Sequence, residues 1–83
     1  YDEIIFQEIP ENILKNTKML FIEITPLKSK NFDREKLKSK LKIFSEINNF
    51  NGETFTYKSV IDYSNNNKEA VDFILINKNC SKN

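Results

Sequence analysis

Hydrophobic and polar positions divide this chain into several short alternating stretches and one stretch of helical spacing. Residues 3 to 9 (Glu3-Ile4-Ile5-Phe6-Gln7-Glu8-Ile9) read as a short strand closed by Pro10, which cannot donate to a ladder. Residues 10 to 17 predict one helical turn with Pro10 near its start, docked on the core through Ile13 and Leu14. Residues 18 to 25 form the most apolar strand candidate. In it Leu20, Ile22 and Ile24 point one way, and Met19, Phe21 and Glu23 the other. Large apolar groups on both faces predict a central strand, ended by Pro26. Residues 26 to 31 read as a basic loop.

The clearest helix is predicted over 32 to 48. Leu37, Leu41 and Phe44 follow i, i+4, i+7 spacing, and Ile43 and Ile47 widen the stripe. Asn31 or Asp33 is placed to cap its start, and Asp33 and Glu35 sit where the helix dipole favours negative charge. Asn51-Gly52 supplies the turn that follows. Gly52 is the single glycine, and so the natural site for a positive φ. Residues 53 to 63 then alternate, with Phe55, Tyr57, Ser59, Ile61 and Tyr63 on one face. Residues 69 to 77 alternate again, with Val71, Phe73 and Leu75 on one face. The polar run Ser64-Asn65-Asn66-Asn67 predicts that these two strands form an antiparallel hairpin.

A striped helix needs a sheet to cover it. The fold class expected is therefore α+β, a two-layer sandwich with one main helix (about 32–48) packed on a mostly antiparallel sheet of three to four strands. The link from strand 18–25 through the helix to strand 53–63 is a crossover, which leaves those two strands parallel or separated by another. Residues 1–77 make a single small domain, read as part of a larger protein because the chain starts at Tyr1 and its one methionine is Met19. Residues 78–83 are a polar tail. With 83 residues the chain buries about 60% of its unfolded surface, a modest core.

Composition excludes several classes. No apolar run reaches the roughly 18 residues of a membrane span, so no transmembrane segment is expected. Cys80 is the sole cysteine and there is no histidine, which removes internal disulfides, imidazole catalysis and zinc held by this chain alone. One glycine rules out a phosphate-cradling loop. Asn79-Cys80-Ser81 fits a glycosylation acceptor, a triplet that arises easily by chance among twelve asparagines. Lysine outnumbers arginine twelve to one, which reads as A/T-rich codon usage.

Two constellations remain. Glu23, Asp62 and Asp72 each lie in a predicted strand, and three converging acids bind divalent metal. The E-x-K pair that a metal nuclease wants is missing, and the ordinary place for each acid is a solvent-facing or edge position. The second constellation is charge. Residues 28 to 42 hold seven cations against two acids, a formal +5, while the other 68 residues carry −4. Arg34, Lys38 and Lys42 fall on one line of the helix, and Lys28 and Lys30 lead into it. Such a row is most often a solvated face. As a site, it meets an acidic protein surface, phosphates or anionic lipid. The expectation is a non-enzymatic protein-interaction or assembly domain with no catalytic residues, metal or cofactor, bound to a protein partner or to its own copies through its sheet edge or its basic helix face. Lys28, Lys30, Arg34, Lys38 and Lys42 are the residues expected to meet an acidic partner, and the alternative is a nucleic-acid-binding module that sets Arg34, Lys38 and Lys42 on phosphates.

Overall fold

The computed structural model describes residues 1–25, 31–66 and 69–78. In chain order they form α1 (Glu3–Glu8), α2 (Glu11–Lys15), β1 (Met19–Ile24), α3 (Arg34–Leu41), β2 (Glu46–Asn49), β3 (Thr54–Phe55), α4 (Tyr57–Asn65) and β4 (Val71–Ile76). Four strands make one antiparallel sheet in the order β1-β4-β2-β3. The inward side chains Ile22, Ile24, Ile47, Phe73 and Leu75 share a core with Phe6, Leu14, Leu37, Leu41, Val60 and Ile61 from the helices. The helices therefore cover one face of the sheet, and the two-layer α+β architecture holds.

Several boundaries differ from the sequence pattern. Residues 3–8 are helical, not extended. The Asp2 side chain accepts from the Ile5 N–H and caps the turn. The helix begins close to expectation, with Asp33 accepting from the Lys36 N–H, but it ends at Leu41. Residues 46–49 are strand β2. Ser45 fixes that switch: its N–H and its hydroxyl both donate to the Ile76 carbonyl, at 2.9 and 3.1 Å.

Residues 53–63 are mostly helix, and only Thr54–Phe55 pair as a strand. The predicted hairpin with 69–77 does not form. β4 instead inserts between β1 and β2, and β3 pairs with β2 across the turn at Gly52, where φ is +85°. β1 and β2 run parallel with β4 between them, and β3, the part of 53–63 that pairs as a strand, is separated from β1 by β4 and β2. β1 is an edge strand rather than a central one. In α2, Leu14 is buried but Ile13 is exposed. Apart from Asn31, the predicted basic loop falls outside the described residues, as do Lys28, Lys30, Cys80 and the tail beyond Lys78.

Candidate interaction surface

The helical layer is locked by polar contacts, and these decide which cations are free. Buried Gln7 donates from Nε2 to the Asn31 carbonyl at 3.0 Å and accepts the Asp33 N–H at 3.1 Å. It thereby ties α1 to the start of α3. Lys36 pairs with Glu8 at 2.8 Å, and the Lys40 ammonium donates to the Ile9 carbonyl. Two of the five cations on Arg34–Lys42 thus hold α1 against α3.

The remaining three are the row read from the sequence. Arg34 is exposed, Lys38 lies 3.5 Å from Glu35, and Lys42 sits over the Tyr57 ring, 5.4 Å from its centroid. Lys58 of α4 approaches the same ring at 5.8 Å, so the basic row continues onto α4. The acids do not converge. Asp62 lies on α4 in the helical layer, whereas Glu23 and Asp72 face each other across β1 and β4. Among the described residues, no three acids or cysteines gather as a metal site. Nor is any helix long and apolar enough to cross a membrane.

Among the described residues, no helix covers the opposite face of the sheet. Its rows are Met19–Ile76–Glu46 and Phe21–Ile74–Asn48, with Glu23–Asp72 beyond. Phe50 is displayed beside them by the turn after β2. Buried Asn49 organises that turn, accepting from the N–H groups of Asn51 and Glu53 and donating to the Glu53 carboxylate. Phe50 meets Phe21 edge to face, with centroids 5.9 Å apart.

Around the outer edge of β1 a second apolar surface opens. A groove of about 600 Å³ lies between α1, α2 and β1, lined mainly by Ile4, Ile5, Ile9, Ile13 and Leu20, with Glu8 at its margin. Tyr1 borders both this groove and the open face. Ile5, Ile13, Tyr1, Met19, Phe21 and Phe50 are the most exposed large hydrophobic side chains of the described residues, at 52–62%. All six border these adjoining hollows and form one band around the β1 edge.

The sequence pattern offers a sheet edge as a binding surface but places 18–25 at the centre of the sheet, and so misses this band. The available signal was the two-sided apolar pattern of 19–24, which fits an edge strand with a sticky outer face as well as it fits a central one. Compared with protein-family models, curated proteins and solved structures, the chain matches none.

Proposed function

We propose that this chain is a non-enzymatic protein-interaction domain whose contact surface is the apolar band around β1. The observation that carries this is clustering. Isolated exposed hydrophobics are normal, but contiguous apolar patches mark interaction sites, and here the six most exposed large ones adjoin. The band has Asp2, Glu23 and Asp72 at one end and exposed Lys18 at the other, so its charges suit a partner protein and a second copy alike.

The test is site-specific photo-crosslinking in cells that express the protein. A photoreactive residue at Phe21 or Ile13 is expected to give discrete protein adducts, and one at Arg34 or Lys58 is not. Adducts confined to Arg34 and Lys58, or adducts with nucleic acid, overturn the reading. Adducts between two copies of the chain replace the partner protein with a homo-oligomer.

The second reading, nucleic-acid binding through Arg34, Lys38 and Lys42, draws support from the Lys42–Tyr57–Lys58 arrangement. That arrangement extends the cations across two helices. It also places two ammonium groups on the ring that a base would need for stacking, which is why this reading ranks second.

A further inference from the structure

The open face of the sheet carries a pattern that fits its own copy, taking the protein-interaction reading as its basis. β4 is an inner strand, with β1 on one side and β2 on the other. Its open-face positions, every second residue, run Asp72, Ile74, Ile76, Lys78: acid, apolar, apolar, cation. Lys78 lies on that side because its ammonium is 3.7 Å from the carboxylate of Glu46, which shares a row with Ile76. β1 repeats the acid, with Glu23 directly opposite Asp72. Two carboxylates side by side destabilise a sheet, and no cation of the described residues contacts either one. On β2, Asn48 accepts from the Thr54 hydroxyl at 3.1 Å, while its side-chain NH2 has no partner among the described residues.

We propose that a second copy of this chain packs on the open face, sheet against sheet, about a two-fold axis that reverses the strands. Such an axis lies between the sheets and across the strands, and keeps each strand over its own mate. Face-packed sheets stay within about 30° of alignment, so rows remain matched over three strands. Set midway between the two apolar rows, the axis lays Met19–Ile76–Glu46 on Phe21–Ile74–Asn48 of the second copy. Apolar side chains meet apolar ones, and the Glu46 carboxylate comes opposite the Asn48 NH2. The end rows exchange as well. Lys78 falls beside Asp72 and Glu23 of the second copy, and the reverse contact forms at the other end. Each acid pair thus gains the cation it lacks. The opposite orientation, with strands running the same way, sets the two acid pairs against each other and is disfavoured. The face is three strands wide, and its strands are at most six residues long. That is small beside the roughly 800 Å² per partner of a standard complex, so the dimer is weak, with a Kd of roughly 10⁻⁴ M.

Sedimentation velocity on the 83-residue chain, from roughly 10 µM to 1 mM, tests the association. A shift from monomer to dimer with no larger species is expected, because an isologous contact closes at two copies. A monomer throughout, or open-ended growth, overturns the proposal. Amide resonances of the isotope-labelled chain that shift on dilution should include Phe21, Ile74 and Ile76 and leave Ile13 unmoved. Shifts confined to other parts of the chain overturn the open face as the contact.

Charge decides the orientation. Lys78→Glu sets an acid against the acid pair of the mate, and Asp72→Lys sets a second cation against Lys78 of the mate. Both positions are exposed, so circular dichroism should show an unchanged fold. Each variant alone should dimerise at least about tenfold more weakly. An equimolar mixture of the two should recover the dimer, because each altered residue then meets its opposite charge. Variants that self-associate like the parent, or a mixture that recovers nothing, overturn the strand-reversed packing. In cells, a photoreactive residue at Ile74 should give adducts with another copy of the chain. Adducts at Ile74 with a different protein overturn the second copy and leave the interaction surface standing. Absence of adducts at Phe21 and Ile13 alike removes the surface itself.

Discussion

At the scale of single residues, the buried polar groups divide into those that have partners and those that do not. Gln7 and Asn49 organise their neighbours through several hydrogen bonds, and Asn77 donates from Nδ2 to the Lys15 carbonyl at 3.2 Å. Ser64 is different: its hydroxyl is buried in α4 and has no hydrogen-bond partner among the described residues. An orphaned buried hydroxyl costs free energy, and alanine is also the better helix former. Ser64→Ala should therefore raise stability by about 0.5–1.5 kcal/mol in urea unfolding; a loss of stability would show that the hydroxyl has a partner after all. Leu41 is fully buried where α3 meets the sheet. Leu41→Ala should cost about 2–4 kcal/mol through lost burial and the cavity left behind. A change within about 0.5 kcal/mol would place that side chain outside the core.

At the scale of elements, buried polar residues explain much of what the sequence concealed. In α1 the buried positions are Glu3, Phe6 and Gln7, which have helical spacing, but two of the three are polar. The stripe is invisible to hydrophobicity, and the apolar run around Ile4 and Ile5 reads as a strand. In α4 the covered positions Tyr57, Val60, Ile61 and Ser64 follow i, i+3, i+4, i+7. Ser64 again hides the last of them, while Phe55, Tyr57, Ile61 and Tyr63 imitate strand alternation. β1, β4, the Asp33 cap and the Gly52 turn were legible because each has an unambiguous local cause. The Arg34, Lys38, Lys42 row was legible for the same reason. The apolar band was not, since it depends on α1 being a helix and β1 lying at an edge. What ends the extended reading at residue 56 is a reciprocal cap: the Thr56 hydroxyl accepts from the Ser59 N–H at 3.1 Å, and the Ser59 hydroxyl accepts from the Thr56 N–H at 2.8 Å. Thr56→Ala should cost about 0.5–2 kcal/mol and fray the first turn of α4, seen as faster amide exchange at Lys58 and Ser59. Unchanged exchange there would mean that tertiary packing alone holds the helix.

At the scale of the molecule, charge and apolar surface are segregated. Cations collect on α3 and the start of α4, while the exposed hydrophobics collect around β1 with Glu23 and Asp72 beside them. The two surfaces call for opposite partners, so salt separates them. If Arg34, Lys38 and Lys42 contact phosphates, log K for a duplex oligonucleotide falls with log salt at a slope of roughly −2 to −3. Replacing all three by glutamine then removes binding whatever the base sequence. If the apolar band is the working surface, partner binding follows buried apolar area, its salt slope is shallow, and the triple change leaves it intact. The second behaviour is expected, because Lys36 and Lys40 are already engaged by Glu8 and Ile9, and of the cations from Arg34 to Lys42 three are left for phosphates. Three contacts support the weak, salt-sensitive binding of a non-specific cation row, roughly 10⁻⁴ M or weaker at physiological salt. Submicromolar oligonucleotide binding under those conditions, lost in the triple variant, would reverse the ranking of the two surfaces.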